Sequence, residues 1–383
     1  MFNKKPVSAL ANYLNFVHRT ATQHVLDALN TGEGSEEYAH LQCVIEDLKF
    51  TGKGGNAAES IDYSDPLAND CYLARYVCGY ALEYKTIVEI VLMDVLKGME
   101  AEGDPVDLDA ESFGCGSMEE AWGLAFALAR LCEDGVPGAN RIRLRYQPVD
   151  LKLWPRRFLS VKANVDGTSR LYKAVTGERF PAFFLRNCFQ TTDDEACIAQ
   201  DGLVGYMQKQ RKRSQILCFP KIINELPETI WQQTLEAVKA SEFEKDRTYY
   251  LCISHSAAQI EKGKQRTRQL LNAIQETLPG NLSFSYDEEL PASILSEDRI
   301  TEYTKNGASA APGHCYTFVS SKRVDITDPD FEFAGSSIKR SAAMHGKLRK
   351  QFENVFSDKD LRTPILSGKD NLVFQVIAFH IHD

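Results

Sequence analysis

The sequence predicts an α/β protein in which a helical N-terminal unit precedes a mostly parallel sheet of seven strands flanked by helices. The chain has 383 residues, 43% of them apolar, so it can bury a large core. Its first hundred residues carry apolar side chains at helical spacing, and after Gly103 short strand-like runs alternate with amphipathic helices. This alternation is typical of parallel α/β sheets and divides the chain into residues 1–103 and 104–383.

Three helical stretches are expected in the N-terminal unit. Leu10, Leu14 and Val17 fall on one helical face, as do Leu41, Val44 and Ile45. Glycine-rich segments, TGEGSEEY and TGKGGNAAES, separate these stretches from each other and from the third. The third runs from Tyr72 to Lys97 and repeats the helical period with Leu73, Tyr76, Val77, Tyr80, Ala81 and Tyr84.

The strands and helices of the second part follow in order. The expected strands are Val106–Phe113, Ile142–Val149, Ala182–Phe189, Gln215–Phe219, Thr248–Ile253, Cys315–Ser320 and Leu372–Ile381. Helices are expected over Glu119–Cys132, Glu225–Ala240 and Ala257–Glu276. Because the alternation breaks near the end of the chain, one of the last two strands is expected to run antiparallel.

A glycine turn separates the first strand from its helix. Gly114 and Gly116 lie at the carboxyl end of that strand, where open α/β folds bind ligands. Met118 stands where a dinucleotide fingerprint has its third glycine. Glu119 and Glu120 fall in the first turn of the helix, where their charges would repel a phosphate group. The pattern therefore favours a ligand without phosphate, and a tight turn without a ligand is the alternative.

The segment SFGCGS resembles the first motif of class I S-adenosylmethionine-dependent methyltransferases, which have a Rossmann-like sheet and use a cofactor with a sulfonium and no phosphate. The resemblance covers about residues 103–383 and implies cofactor contacts from Ser112, Gly114, Cys115 and Gly116. Ser112 stands where the family often has an acidic residue.

The resemblance also implies a ribose contact after the second strand. In YQPVDLKLWP, Asp150 takes the place of the acidic residue that binds the ribose hydroxyls, with Leu151 beside it. Asp150 follows Gly116 by 34 residues, more than the roughly 20 of a compact dinucleotide unit. A helix cap is the alternative interpretation of Asp150.

Further candidates follow the later strands. The resemblance implies that Asp193 faces the adenine amino group, and that Asn224 and Glu225 lie beside the transferred methyl. The segment FPKIINE lacks the Asp or Asn, two prolines and aromatic residue of enzymes that methylate base amino groups, which disfavours that reaction. His255 is a candidate general base because histidine titrates near neutrality. Helix caps, turns and structural roles are the alternatives for all four residues.

Charge and cysteine usage restrict partners and compartment. The net charge of −9 argues against broad adhesion to nucleic acid, although basic runs at 209–213, 262–268 and 347–350 leave an RNA or nucleotide acceptor open. Singly, such runs are also typical of solvated faces. Ten cysteines without a CxxC pattern favour free thiols and the cytoplasm, no metal site is predicted, and no membrane segment is expected.

The sequence therefore predicts an S-adenosylmethionine-dependent methyltransferase acting on RNA, protein or a small molecule. Two alternatives remain open. One is a cofactor-binding sensor or assembly protein without transfer activity, which the serine at position 112 favours. The other is an NAD-dependent oxidoreductase, which only the glycine turn supports and which the two glutamates oppose.

Overall fold

A mixed β-sheet lies between two layers of helices in the computed structural model of the chain. The residues that the structure describes are 6–51, 62–150, 189–191, 202–209, 211–255, 259–280, 283–286, 316–319 and 373–382. The helices in these ranges are α1 (Pro6–Asn30), α2 (Glu36–Thr51), α3 (Pro66–Lys97), α4 (Glu119–Glu133), α5 (Gly202–Lys209), α6 (Ile222–Glu225), α7 (Glu228–Lys239) and α8 (Ile260–Glu276).

The strands are β1 (Val106–Phe113), β2 (Ile142–Val149), β3 (Phe189–Thr191), β4 (Ile216–Pro220), β5 (Thr248–Ser254), β6 (Ser283–Tyr286), β7 (Tyr316–Val319) and β8 (Val373–His382). Their order in the sheet is β3-β2-β1-β4-β5-β8-β6, and β7 also pairs with β8. The pairs from β3 to β5 are parallel, whereas β8 is antiparallel to β5, β6 and β7. The first five positions follow the order of a Rossmann-like, doubly wound sheet.

The predicted α/β architecture with a mostly parallel sheet is confirmed at this coarse level, but the strand count differs. Five strands have five residues or more, and β3, β6 and β7 are short. The strand Ser283–Tyr286 was not predicted, and of Ala182–Phe189 only the last residue lies in a described strand. As expected, one of the last two strands, β8, runs against the others.

The predicted helix Glu225–Ala240 starts three residues too early, because Pro227 separates α7 (Glu228–Lys239) from the short helix α6 (Ile222–Glu225). Proline lacks the amide hydrogen that a helix interior needs, and it disfavours helical backbone at the residue before it, Leu226. Leu226 accordingly has extended angles, φ −56° and ψ 134°, and α7 starts at Glu228. A proline near a helix start is tolerated, which is why the second part remains helical.

Alternating side chains of the strands form two separate cores. In β5, Tyr250 and Cys252 face the core beneath α1 to α4, whereas Leu251 and Ile253 face the core beneath α5 to α8. This is the period-two pattern of a strand buried on both faces. The sheet is therefore covered on both sides, as the continuous apolar runs of its central strands require.

The N-terminal helices form one layer of this fold together with α4. Side chains of α1, α2 and α3 share a continuous buried core with β1, β2, β4, β5 and β8. Tyr13 of α1 lies against Trp122 of α4, with ring centroids 5.2 Å apart. The division of the chain at residue 103 into separate domains stays a prediction.

Helix α3 runs antiparallel to β5 and extends past the edge of the sheet. The Tyr84 hydroxyl donates to Ser254 Oγ at the end of β5 (3.3 Å), and the Tyr250 hydroxyl, inside the strand, donates to Asp94 further along α3 (2.9 Å). Tyr84 follows Pro66 by 18 positions in the helix, a distance of about 27 Å. The N-terminal half of α3 therefore stands beyond the carboxyl ends of the strands and forms a wall there.

Among the described helices, none combines the length and the apolar composition that crossing a bilayer requires.

The contact between α3 and α4 yields a first prediction. A Cβ on Gly123 would lie 2.4 Å from Tyr84 Cβ and 2.7 Å from the Lys85 backbone nitrogen. We expect Gly123→Ala to lower the free energy of unfolding by about 1–3 kcal/mol, because overpacking outweighs the gain of about 1 kcal/mol in helix propensity. Urea unfolding measures the change, and Gly280→Ala, in open space, is the matched control. Equal stability of Gly123→Ala and the parent chain would contradict the tight contact.

Candidate functional site

The glycine turn after β1 is held against the end of β2. The backbone amides of Gly114 and Cys115 both donate to the Val149 carbonyl, at 2.8 and 3.1 Å. Gly114, Gly116 and Met118 have φ angles of +72°, +52° and +71°. This left-handed backbone favours glycine, and Met118 adopts it immediately before α4. The turn is therefore a sharp reversal that leaves backbone close to the sheet edge.

The turn lies at the topological switch point of the sheet. From β1 the chain continues to β2 on one side, and β4 lies on the other side of β1. Open α/β sheets bind ligands in the crevice that this reversal creates. Ile222, just after β4, closes on the turn, and a Cβ on Gly114 would lie 2.4 Å from its Cδ1 atom.

Asp150 lies directly beside the turn. Its Oδ2 atom accepts a hydrogen bond of 2.7 Å from the backbone amide of Gly116. The sequence separation of 34 residues does not prevent this contact, because the end of β2 is fixed next to the end of β1 by the parallel register Phe113↔Val149. Asp150, Gly114, Cys115 and Gly116, all candidates from the sequence, are thus brought together.

Glu120 is fully buried and points back to the end of β1. Its Oε1 atom accepts hydrogen bonds from the Ser112 hydroxyl (2.7 Å) and from the Tyr146 hydroxyl. Burial raises the pKa of Glu120 to about 7, these two hydrogen bonds oppose the shift, and the charge of Asp150 adds to it. A carboxyl group therefore lies next to Ser112, where the resemblance expects an acidic side chain.

Glu119 is also buried, with 4% of its surface exposed, and accepts a hydrogen bond from the Ser117 hydroxyl. Burial raises its pKa to about 8, and the neighbouring Glu120 charge adds to the shift. The expectation that Glu119 and Glu120 both carry full charge at the start of the helix is therefore corrected. Both carboxyl groups are inside the protein, and near neutral pH they are partly protonated.

Four tyrosine rings line the wall beyond the sheet edge, and we call them the tyrosine cluster: Tyr63, Tyr72, Tyr76 and Tyr80. The centroids of Tyr72 and Tyr76 are 4.9 Å apart, and those of Tyr76 and Tyr80 are 5.1 Å apart and nearly parallel. Tyr63 meets Tyr72 edge-on at 5.5 Å. All four are partly exposed. The spacing of four residues on α3 was visible in the sequence, but it predicted only a helical face.

Lys221 connects the tyrosine cluster to the end of β4. Its backbone is left-handed, with φ +57°, and its amide donates to the Ser254 carbonyl. The ammonium group lies 3.9 Å from the centroid of the Tyr80 ring and 3.5 Å from Oε2 of Glu83, which is 1% exposed. Sequence reasoning missed Lys221, because no local motif marks it.

Asn224 and His255 meet in a buried network that joins β4, β5 and β8. His255 Nε2 lies 2.7 Å from Gln375 Oε1, and Nδ1 lies 3.2 Å from Asn224 Oδ1. Burial lowers the pKa of His255 to about 4, so the ring is neutral near pH 7. Both ring nitrogens face protein groups, which fits a positioning role. The general-base role of His255 stays a prediction.

The remaining candidates are distributed differently. Glu225 is exposed, and its charge contributes, after burial and Tyr76, to the raised pKa of Tyr63. Leu151 and Asp193 lie outside the described residues. Their cofactor contacts stay predictions.

In each of two basic runs one arginine is engaged inside the protein, whereas Arg211 and Arg268 of the same runs are exposed. Arg213 is 3% exposed and pairs with Glu111 at 3.3 Å. Arg266, also 3% exposed, donates to two backbone carbonyls and pairs with Glu228 at 2.8 Å. These arginines stabilise loops and helix ends, and run 347–350 lies outside the described residues. Contact with RNA stays a prediction.

Metal ligands do not cluster in the part of the chain that the structure describes. There, no group of three or more His, Cys, Asp or Glu side chains is arranged to hold a metal ion. His380 and His382 lie on one strand with ring centroids 4.9 Å apart, and Nδ1 of His380 is 3.1 Å from the Thr248 hydroxyl.

Comparisons with known proteins add little to this geometry. No protein-family model matches the chain, and no curated protein sequence does. Among solved structures, the chain is similar to a cyclopropane-fatty-acyl-phospholipid synthase-like protein from Lactobacillus casei ATCC 334, at 9% identity and a TM-score of 0.25. The match covers 78% of this chain and 92% of that one.

The buried glutamates yield a second prediction. A carboxyl whose pKa is raised on folding contributes stability that is fully present below its unfolded pKa of 4.5 and is lost progressively as pH rises to the folded pKa, about 8 for Glu119. His255 has the opposite sign, since its lowered pKa makes stability rise between pH 4 and 6.5. Between pH 6.5 and 8.5, we therefore expect the free energy of unfolding to fall by about 1–2 kcal/mol.

Denaturant unfolding at several pH values measures this fall. Glu119→Gln removes the titrating group and should flatten the profile, whereas the matched change at the exposed Glu37 should leave the slope unchanged. A Glu119→Gln profile as steep as that of the parent chain would show that this carboxyl is already ionised at pH 6.5.

Proposed function

We propose that the chain binds S-adenosylmethionine in the crevice above β1, β2 and β4 and transfers its methyl group to an acceptor held against α3. The observation that carries the proposal is the left-handed turn Gly114–Met118 at the switch point, bordered by the carboxyl groups of Asp150, Glu119 and Glu120. A cation bound beside carboxyl groups with raised pKa values favours their ionised form, whereas a phosphate opposes it, so this site favours a ligand with positive charge.

The residues at the turn fit such a cofactor. Gly114 and Gly116 let the backbone approach it, and Asp150 would hold the ribose hydroxyls. Ser112 has no charge to bind the methionine ammonium, and the neighbouring Glu120 would provide the acidic group instead. Its Oε2 atom is buried and has no hydrogen-bond partner among the described residues. Asp193 and Leu151 would complete the adenine and ribose contacts.

The transfer requires alignment more than acid–base chemistry. When bound, the cofactor supplies a methyl group on a sulfonium, which is already a good leaving group. The chain's own contribution is to hold the acceptor in line with that methyl and to exclude water. The wall formed by α3 and the segment Lys221–Glu225 border the crevice on the acceptor side. Asn224 and His255 fix the end of β4 against β5 and position this segment.

Binding to the cofactor yields a third prediction. Isothermal calorimetry should show binding of S-adenosylmethionine and S-adenosylhomocysteine but not of NAD, whose pyrophosphate would face the carboxyl groups. Asp150→Ala should weaken binding roughly 10- to 100-fold, the loss of a charged hydrogen-bond partner. Asp134→Ala, at the far end of α4, is the matched control and should bind as the parent chain does.

Calorimetry together with a turnover assay separates the alternatives. Binding of NAD alone would favour an oxidoreductase. Binding of S-adenosylmethionine without turnover on RNA, protein or metabolite pools would favour a sensor or assembly protein. The proposed cofactor is excluded if neither methionine-derived ligand binds, and the proposed site is excluded if Asp150→Ala has no effect on their affinity.

A further inference from the structure

We infer that the tyrosine cluster and its surrounding carboxyl groups bind an alkylammonium group, and that the methyl acceptor is an amine. The assignment to the acceptor rests on the proposed function. The binding site itself rests on contacts between α3 and the segment after β4, and it is tested separately below.

The four tyrosine rings lie next to one another beyond the sheet edge. Tyr72, Tyr76 and Tyr80 follow one another along the half of α3 that stands beyond the sheet edge, and Tyr63 joins them from the preceding segment. A core stripe would be covered by other side chains, but these rings are partly exposed beside the proposed cofactor crevice. Partly exposed tyrosines present electron-rich ring faces to a ligand.

An ammonium group of the chain itself already lies in the cluster. The Nζ atom of Lys221 lies 3.9 Å from the Tyr80 centroid and 3.5 Å from the Glu83 carboxylate. A cation above a tyrosine ring within about 6 Å is attracted by the ring quadrupole. Lys221 reaches this position from left-handed backbone, which a lysine adopts only where the surrounding structure enforces it. The chain's own side chain thus marks the chemistry that the site accepts.

Several titratable groups surround the tyrosine cluster. Three carboxyl groups border the cluster, those of Glu83, Glu119 and Glu225. The charges of Glu119 and Glu225 both contribute to the raised pKa of Tyr63, after burial and Tyr76. Burial raises the pKa of Glu225, and the ammonium groups of Lys221 and Lys262 oppose this shift. A cation bound at the cluster would favour the ionised form of Glu119, whose pKa burial raises to about 8.

The position of the cluster connects it to the methyl group. Glu119 begins the helix that follows the glycine turn, and its charge contributes to the raised pKa values of Tyr63 and Tyr72, so the cluster lies near that turn. A bound ammonium would first lose a proton, for which the exposed carboxylate of Glu225 is the acceptor. The nitrogen lone pair then forms the N–C bond to the methyl as the C–S bond breaks, and the electron pair of that bond stays on sulfur. The products are an N-methylammonium and a neutral thioether.

The test uses the full-length chain saturated with S-adenosylhomocysteine, so that the cofactor crevice is filled. Choline and its uncharged isostere 3,3-dimethylbutan-1-ol are titrated and followed by ligand-observed NMR. Choline should bind at least fivefold more tightly than the isostere. Tyr80→Leu should weaken choline binding roughly 2- to 30-fold, and Tyr80→Phe, which keeps the ring, should restore it to within twofold. Lys221→Met removes the competing ammonium and should tighten choline binding.

The source of the amine is distinguished in a second arm, with n-butylamine as the free amine and a heptapeptide with a central lysine as the protein-borne one. Tighter binding of either, weakened by Tyr80→Leu, supports the alkylammonium site and identifies the source. Thermal melting of each variant checks folding, and Lys221→Met gives an independent readout if Tyr80→Leu does not fold.

Several results would overturn the inference. These are equal binding of choline and its isostere, tighter binding of cytidine than of choline, which would favour a nucleobase, and unchanged affinity in both Tyr80→Leu and Lys221→Met. Displacement of choline by S-adenosylmethionine but not by S-adenosylhomocysteine would assign the cation position to the cofactor's sulfonium. If S-adenosylmethionine binds and choline does not, only this inference fails. If choline binds and S-adenosylmethionine does not, the proposed function fails instead.

Discussion

The close contact between α3 and α4 determines the form of the candidate site. Gly123 lets the two helices approach until no Cβ fits between them, and Tyr84 seals the contact with its hydroxyl on Ser254. These contacts fix the position of α3 along β5. The N-terminal half of α3 therefore lies beyond the sheet edge, where it carries the tyrosine cluster. Helix α3 therefore covers one face of the sheet with its C-terminal half and borders the crevice with its N-terminal half. A looser packing of α3 on α4 would leave the crevice open on that side.

The central sheet could be predicted from the sequence because burial imposes its pattern there. The bounds of β1 and β2 agree with the expected strands, since both are bordered by turn residues. The strand at 283–286 was not foreseen, because the four residues SFSY give no long apolar run. Pro227 was present as a signal, yet the predicted helix was extended back across it to Glu225, three residues before the observed start of α7.

Only the site residues that short local motifs mark could be predicted from the sequence. Gly114, Gly116 and Asp150 were identified, and the structure brings them together, but the burial of Glu119 and Glu120 was not visible. At the start of a helix a glutamate suits the dipole whether or not it is exposed, so the sequence cannot distinguish the two cases. Long-range partnerships are equally hidden. Nothing near Tyr80 or Lys221 in the sequence indicates that an ammonium and a ring separated by so much chain would meet.

The position of β8 within the sheet has a consequence for how the protein folds. This strand lies between β5 and the pair β6 and β7, and its Gln375 is 120 residues from His255, its partner at the end of β5. Closing so long a loop is an entropic cost that precedes any gain from pairing, so contacts of this kind slow folding. Until β8 arrives, the Tyr249–Ser254 edge of β5 is an open template for strands of other chains. The sheet that carries the crevice is therefore exposed to misassembly during synthesis.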